Sequence, residues 1–264
     1  KKIKLSNPKF ENEIYLNNFL DKNFKDINIL IHLAWGAMKE PWSKYHVKNI
    51  DKSKILIQYA KKNNIEKVIF CGSMNEYGDL IGKLNENDIP GKIETKYAKG
   101  KSIVTKFGIN LFNNYKTEFY AIRPFYVFGL GQEKNSLINQ LFKSSINNEN
   151  IYLSSCDSYR DYVYVYDVVS AFLSIINSKL KNPGIYNVGS GKSIKLKTFV
   201  KKIWSKLQKD NKMLKFDRLK NKKEQVQLKS FSNNNKIKKY YNWKIKYKLD
   251  DGIRHMIKEF NLQK

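Results

Sequence analysis

Residues 27–35, I-N-I-L-I-H-L-A-W, decide the fold class of this 264-residue chain. The stretch is mostly apolar and of strand length, which is typical of a strand buried on both faces of a parallel sheet. Two similar runs follow at residues 67–72 (K-V-I-F-C-G) and 118–123 (E-F-Y-A-I-R), and helix-like segments separate them. This alternation predicts an α/β fold with a doubly wound parallel sheet and right-handed crossovers.

The first separating segment predicts a helix over residues 41–64. A shorter helix-like stretch at residues 14–24 precedes the first strand. By apolar periodicity, the inner side of the 41–64 helix is expected to consist of Val47, Ile50, Ile55, Leu56 and Tyr59.

The second separating segment, residues 91–112, predicts a helix with Tyr97 and Lys101 one turn apart on one face. An ammonium group close to a phenol stabilises the phenolate, so we expect Lys101 to lower the Tyr97 pKa. A tyrosine of this kind can exchange protons near neutral pH. The spacing alone is weak, because Tyr240 and Lys244 repeat it.

The formal net charge of +26 suggests nucleic-acid binding, but the arrangement of the charge favours another interpretation. Arginine occurs only at Arg123, Arg160, Arg218 and Arg254, and the lysines are spread along the chain. Nucleic-acid surfaces cluster their basic residues and use arginine forks. We therefore expect no specific nucleic-acid role, although the charge attracts anions in general.

The cysteines, the histidines and the lengths of the apolar runs limit the classes of protein to which this chain can belong. Two cysteines and three scattered histidines predict neither a disulfide framework nor a metal centre. No apolar run approaches the roughly 18 residues of a membrane span, and no signal peptide is recognised. The sequence predicts a soluble cytoplasmic protein.

Beyond residue 131 the pattern changes to shorter elements. Helices are expected at residues 135–145, 167–180 with Asp167 as an acidic cap, 194–207 and 249–260. Short strands are expected at 151–153, 162–165 and 185–188, and a loop at 210–235. We predict a first domain over residues 1–132 and a smaller C-terminal α/β lobe over 133–264, with some segments returning to the first domain.

Several motifs resemble, in order and spacing, the extended short-chain dehydrogenases that modify nucleotide sugars. These are the NAD(P)-dependent epimerases, dehydratases and 4-ketoreductases. The matching stretches are I-H-L-A (31–34), G-S-M-N-E-Y-G (72–78), the Tyr97–Lys101 pair and I-R-P-F-Y-V-F-G-L-G-Q (122–132). The second half adds R-D-Y-V-Y-V-Y-D-V (160–168), G-I-Y-N-V-G-S-G (184–191) and L-D-D-G-I (249–253).

The resemblance implies that residues 1–132 form a partial NAD(P)-binding domain and residues 133–264 mostly a substrate lobe. It also implies a role for each matched residue. Tyr97 would be the general acid/base, Lys101 its electrostatic partner, and Ser73 a hydrogen-bond donor to the same sugar oxygen. The cofactor, NAD or NADP, would contact Leu33, Ala34, Trp35, Asn49, Lys101 and Pro124. A nucleotide-diphosphate sugar would contact Ser73, Tyr126, Arg160 and Lys223. The resemblance also implies a possible homodimer.

The family's glycine-rich phosphate turn is missing, because residues 1–26 contain no glycine. We expect the sequence to be a fragment whose N-terminal strands are lost, so the Rossmann-like sheet would be N-terminally truncated. The rival interpretation is a degenerate relative that binds no cofactor.

Departures from the family pattern narrow the expected chemistry. Met74 and Asn75 stand where dehydratases carry an acidic pair, and Glu76 lies one place too late. Tyr126 replaces the asparagine that is usual after R-P-x. The pattern favours a 4-keto-6-deoxyhexose reductase; the alternatives are a nucleotide-sugar 4-epimerase and a cofactor-free binding protein.

Overall fold

A computed structural model describes residues 27–219 and 229–262. The stretch at 14–24 and Lys223 lie outside the described residues. The helices are α1 (Tyr45–Lys62), α2 (Lys96–Leu111), α3 (Leu137–Asn147), α4 (Val165–Asn177), α5 (Leu196–Lys206), α6 (Asn235–Tyr241) and α7 (Leu249–Leu262). Short 3-10 helices lie at Met74–Tyr77 and Asn211–Met213.

The strands are short apart from those of the main sheet. They are β1 (Ile29–His32), β2 (Lys67–Cys71), β3 (Gly82–Leu84), β4 (Glu118–Pro124), β5 (Tyr126–Phe128), β6 (Ile151–Tyr152), β7 (Tyr159–Arg160), β8 (Tyr162–Tyr164), β9 (Gly184–Val188), β10 (Ile194–Lys195), β11 (Leu214–Lys215) and β12 (Ser230–Ser232).

The main sheet of the described chain has the order β1-β2-β4-β9. β1 pairs with β2 and β2 with β4 in parallel, with Ile31 opposite Ile69 and Ile69 opposite Tyr120. The connections from β1 to β2 and from β2 to β4 contain α1 and α2, as parallel neighbours require. The predicted α/β parallel sheet is confirmed.

The chain divides into two compact units. The first contains the described residues up to Gly78, together with Pro90–Arg123 and Ile176–Tyr186. The second contains Asp79–Ile89, Pro124–Ile175 and the described part of Asn187–Lys264. The chain passes from the first unit to the second between Arg123 and Pro124, whereas we predicted the domain boundary after residue 132. The roles given to the two domains stay predictions.

In the first unit, the predicted inner face of α1 is wrong in part, since Ile50 and Leu56 pack against the apolar core but two other members do not. His46, Asn49 and Ser53 are buried, whereas Val47 and Ile55 are 57% and 44% exposed. The buried polar side chains have hydrogen-bond partners inside the unit, which removes the usual cost of burying them. The helix also begins at Tyr45 rather than residue 41, because turns occupy the preceding residues.

α2 begins at Lys96 rather than at residue 91. Thr95 is extended and its hydroxyl accepts a hydrogen bond from the Ala98 amide at 3.1 Å, which caps the helix. Tyr97 and Lys101 therefore lie in the first two turns. Val104 is fully buried in the apolar core of this unit, together with Ile57, Val68, Phe70, Phe119 and Ala121 from its other elements.

The second unit has its own core. The predicted apolar stripe of α5 is confirmed, since Phe199, Val200, Ile203 and Trp204 are buried and Leu207 packs against them. The same core includes Phe128, Leu141, Phe142, Tyr162, Tyr164, Ile253 and Met256.

Two aspartates of the R-D-Y-V-Y-V-Y-D-V motif organise the second unit. Asp161 is fully buried and accepts hydrogen bonds from the backbone and hydroxyl of Ser190, the backbone of Gly191 and both groups of Ser232. It thereby joins the junction between β7 and β8 to the 189–191 loop and β12.

The second of these aspartates, Asp167, was predicted to cap its own helix, and this is wrong. It lies inside α4, and its carboxylate accepts the backbone N–H groups of Lys246 and Tyr247 at 2.8 and 3.1 Å. Each of its two oxygens accepts a backbone N–H group of the segment before α7, so Asp167 fixes that segment.

Candidate active site

Ser73 lies directly after β2 and is held by its own loop. Its backbone N–H donates to Glu76 Oε1 at 2.8 Å, and its hydroxyl accepts the Asn75 N–H at 3.2 Å. This reciprocal capping box forms because a short 3-10 helix, Met74–Tyr77, starts at the end of the strand. Ser73 is buried, with 7% of its surface exposed.

The Ser73 side chain hydrogen-bonds the half-buried Tyr97 side chain. The Tyr97 backbone N–H donates to the Pro41 carbonyl at 2.9 Å, which fixes the start of α2 on the segment before α1. The structure thus brings together the predicted serine and tyrosine, which are 24 positions apart in the sequence. The pair presents two hydroxyl groups that can act on one oxygen atom.

Lys101 is 2% exposed, and its ammonium donates to the Cys71 carbonyl at 2.7 Å. The Nζ atom lies 4.2 Å from the ring centroid of Trp35 and 6.0 Å from that of Tyr97. Burial lowers the Lys101 pKa, and the nearby Cys71 and Glu76 partly oppose this. The ammonium group therefore faces the site over aromatic rings.

The predicted lowering of the Tyr97 pKa is wrong in this structure. Burial raises the Tyr97 pKa to about 12, and the hydrogen bond with Ser73 offsets only part of this rise. The Lys101 ammonium donates to the Cys71 carbonyl, and desolvation of the phenol is the largest cause of the raised Tyr97 pKa. Tyr97 therefore keeps its proton at neutral pH, as a proton donor must.

Trp35 and His46 complete the surroundings of Tyr97. The Trp35 indole N–H donates to His46 Nδ1 at 3.1 Å, so His46 Nε2 donates to the Glu40 carbonyl at 2.9 Å. The His46 ring lies edge-on to Tyr97 with centroids 5.7 Å apart, and the Trp35 ring does so at 6.2 Å. His46 was not among the predicted residues, because a single histidine on a helix carries no recognisable pattern.

Asn49, which is predicted to contact the cofactor, holds the loop after β1. Its amide oxygen accepts the Gly36 N–H at 3.1 Å and its amide nitrogen donates to the Gly36 carbonyl at 2.9 Å. Leu33 and Ala34, just before this loop, are exposed, with Leu33 at 59%. Asn49 thus fixes the backbone at Gly36, directly after the segment that contains these two apolar residues.

His32 ends β1 and is buried with a defined proton position. Its Nε2 lies 2.8 Å from Ser53 Oγ, and the Ser53 hydroxyl donates to the Asn49 carbonyl at 2.6 Å. Since the Ser53 proton is used, Nε2 carries the imidazole proton. Burial and the Lys101 charge lower the His32 pKa to about 3.

We expect acid to destabilise the protein through His32. The neutral form is favoured in the folded state, so this contribution is complete above the unfolded pKa of 6.5 and is lost as the pH falls toward 3. By pH 4 the loss is about 3 kcal/mol. Urea unfolding at pH 7 and pH 4 measures it, and His32→Gln should unfold with a smaller difference between the two. An equal difference would contradict the assignment.

The predicted substrate residues Tyr126 and Arg160 contact each other in the second unit. The Arg160 guanidinium carbon lies 4.8 Å from the Tyr126 ring centroid, and Tyr126 N–H donates to the Asp161 carbonyl at 2.9 Å. Among the described residues, Arg160 Nε is buried without a hydrogen-bond partner. A buried donor of this kind suits an anionic ligand. Pro124 ends β4 and is half-buried in the same unit.

The described part of the chain shows neither a metal-binding cluster nor a helix suited to a membrane. Within residues 27–219 and 229–262, no three histidine, cysteine or acidic side chains are grouped as a metal site would need. No helix in those ranges has the length and apolar character required to cross a bilayer.

The first unit has a donor set that fits the nicotinamide end of NAD(P). Leu33 and Ala34 offer an exposed apolar surface at the carboxyl end of β1, where ligands bind in parallel sheets. Among the described residues Lys101 bonds one carbonyl, which leaves two of its three donors for a ribose hydroxyl.

Comparison with known proteins gives relatives across most of the chain. It is 31% identical to dTDP-4-dehydro-6-deoxyglucose reductase of Escherichia coli over 201 residues, which is 70% of this chain and 60% of that protein. The chain therefore spans less than two thirds of the length of this relative. CDP-abequose synthase of Salmonella muenchen is 38% identical over 81 residues, 30% of this chain and 27% of that protein.

Solved structures agree with the fold. UDP-N-acetylglucosamine 4-epimerase of Methanobrevibacter ruminantium has a TM-score of 0.79 at 25% identity, covering 93% of this chain and 81% of that one. The sequence model of the NAD dependent epimerase/dehydratase family matches residues 10–189, well over half of the 264 residues. The protein is thus a member of the NAD dependent epimerase/dehydratase family.

Proposed function

We propose that this protein is an NAD(P)-dependent oxidoreductase that reduces a nucleotide-linked 4-keto-6-deoxy sugar. The observation that supports it best is the hydrogen-bonded pair of Ser73 and Tyr97 beside the buried ammonium of Lys101. When bound, the nicotinamide supplies the reducing equivalent. The residues that would hold the nicotinamide are Leu33, Ala34, Trp35 and Lys101. Asn49 holds the loop after β1 through its two hydrogen bonds to Gly36. The choice between NAD and NADP stays open.

The chain's own groups handle the proton. Tyr97 donates its phenolic proton to the sugar oxygen, and the Ser73 hydroxyl donates a hydrogen bond to that same oxygen. The high Tyr97 pKa favours this direction, because the phenol is protonated when the substrate arrives. As the phenolate forms, the Lys101 ammonium stabilises it electrostatically.

A dehydratase is disfavoured by the loop after β2. Met74 and Asn75 cannot act as acids, and the Glu76 carboxylate is fully buried and paired with Arg123 at 3.0 Å. The Escherichia coli relative is named for reduction of a 4-dehydro-6-deoxy sugar, which supports the reductase. The 4-epimerase stays the second candidate, favoured by the similarity to the Methanobrevibacter enzyme. The predicted cytoplasmic location and homodimer stay predictions.

The test uses the full-length protein with NADH or NADPH and a panel of nucleotide-linked 4-keto-6-deoxy sugars. Loss of reduced cofactor in step with formation of a 4-hydroxy sugar is the expected result. If the cofactor is unchanged and nucleotide hexoses interconvert in a parallel assay, the protein is an epimerase. Absence of cofactor binding would overturn both enzymatic proposals.

Arg160→Ala is expected to weaken nucleotide-diphosphate sugar binding by about 10- to 100-fold, because a charge-assisted contact to phosphate contributes about 1.5–3 kcal/mol. Titration calorimetry measures the affinity. Arg218→Ala, which removes an exposed arginine of the same unit, is the control and should bind as the parent does. An unchanged affinity in Arg160→Ala would remove this residue from the substrate site.

A further inference from the structure

The mechanism leaves one buried charged pair of the first unit unused. Glu76 is fully buried, and Arg123 is 5% exposed. Arg123 Nε and Nη2 donate to Glu76 Oε2 at 3.1 and 3.0 Å, and the guanidinium carbon lies 4.5 Å from the Tyr77 ring centroid. Replacing such a pair by apolar residues is often neutral for stability, so stability alone does not account for it.

The two oxygens of Glu76 serve different partners. Oε2 takes Arg123, while Oε1 accepts the Ser73 backbone N–H at 2.8 Å. Arg123 lies near the end of β4, and Ser73 follows β2, its neighbour in the sheet. The carboxylate therefore ties the loop that carries Ser73 to the adjacent strand.

The chain leaves room for this carboxylate at Gly72. A Cβ atom there would come within 2.5 Å of Glu76 Oε1, and the Gly72 N–H donates to the Ile122 carbonyl at 2.7 Å. The backbone of β2 and β4 thus stays joined up to the residue before Ser73. At the next residue the Glu76 carboxylate accepts the Ser73 N–H, and Ser73 is extended at φ −160° and ψ 145°.

We propose that Glu76 and Arg123 are positioning residues, which fix the backbone of Ser73 so that its hydroxyl meets the Tyr97 phenol. Neither contacts the reacting atoms; they act through Ser73. The consequence for catalysis rests on the proposed reductase function, whereas the consequence for the Ser73–Tyr97 hydrogen bond does not.

The double variant Glu76→Leu with Arg123→Met separates positioning from stability. Removing both charges leaves no unpaired buried ion, so the fold should be recovered relative to Glu76→Leu alone. The Ser73 N–H loses its acceptor in both variants. Lys202→Met with Asp250→Leu removes an ion pair of the second unit (2.9 Å) and serves as the matched control.

The first measurement is NMR of protein labelled at the tyrosine ζ carbon, with the Tyr97 signal assigned by Tyr97→Phe. Ser73→Ala shows how this signal moves when the hydrogen bond is lost. We expect the Glu76/Arg123 double variant to move it in the same direction and the Lys202/Asp250 variant to leave it in place. An unmoved signal in the folded double variant overturns the proposal, whether or not the protein has reductase activity.

The second measurement is steady-state kinetics with the sugar that the full-length protein reduces. A positioning role predicts kcat about 10- to 100-fold lower with KM within about threefold, even though the double variant is folded. Recovery of kcat together with stability overturns the proposal. If wild-type protein reduces no sugar while the Tyr97 signal moves as expected, the proposed function fails and the positioning role stands.

Glu76→Gln preserves the side-chain volume and repeats the test if the leucine variants do not fold. Its single amide oxygen can occupy only one of the two positions that the Glu76 oxygens fill, and we expect it to face Arg123 because a charge-assisted hydrogen bond is stronger. The amide nitrogen then faces the Ser73 N–H, so the Tyr97 signal should again move toward its position in Ser73→Ala. An unmoved signal overturns the proposal.

Discussion

Tyr97→Phe is expected to lower kcat by about 1,000-fold, within the range that a positioned general acid contributes. The change removes the hydroxyl and keeps the ring, so the edge-on contacts with Trp35 and His46 are retained. Binding of the nucleotide sugar should stay nearly intact. Reductase kinetics and titration calorimetry on the same preparation separate the loss of turnover from loss of affinity.

The chain contains its own control for this experiment. Tyr240 and Lys244 have the same spacing as Tyr97 and Lys101, but α6 ends at Tyr241, so Lys244 is not on that helix. Tyr240 is also 37% exposed. Tyr240→Phe should therefore leave kcat unchanged. Full activity of Tyr97→Phe would refute the proton-donor assignment.

Asp161→Asn is expected to cost about 3–5 kcal/mol of unfolding free energy, the range for breaking a buried charged network. Asp161 accepts two hydrogen bonds at Oδ1 and three at Oδ2, from Ser190, Gly191 and Ser232. An amide nitrogen in place of either oxygen meets donors and leaves at least one buried or half-buried backbone N–H without this acceptor. Chemical denaturation followed by circular dichroism measures the loss.

Asp157→Asn is the matched control for this prediction. Asp157 lies four residues earlier in the same unit, and its side chain is 61% exposed beside Lys195. An exposed ion pair contributes about 0–1 kcal/mol. Similar losses in the two variants would contradict the role given to the Asp161 network.

The buried polar face of α1 could not be predicted from the sequence. Apolar periodicity placed Val47 and Ile55 inside, yet they are exposed and the buried positions include His46 and Asn49. Periodicity assumes that helices bury apolar side chains, and here the helix meets a polar loop whose backbone needs hydrogen-bond partners. Those partners, such as Gly36, become visible only when the loop and helix are packed together.

The prediction that the Tyr97 pKa is lowered was wrong for a related reason. Helical spacing places Lys101 one turn away, but spacing does not tell which carbonyl holds the ammonium or how much water the phenol loses. The partner of Glu76 was likewise not predictable from the sequence. Glu76 lies one place too late for a dehydratase acid, and it pairs with Arg123, which is 47 positions away.

The sequence by itself determined the parallel α/β sheet and the apolar stripe of α5, which depend on local period that a single chain displays directly. Ser73, Tyr97 and Lys101 were predicted from the resemblance of their motifs to a known family, because the spacing of the tyrosine and lysine is weak evidence alone. Tertiary structure alone decided the proton positions of His32 and His46, the high Tyr97 pKa and the partners of Glu76, Asp161 and Asp167. Each of these depends on desolvation and on hydrogen bonds between distant segments, and these arise only when the chain is folded.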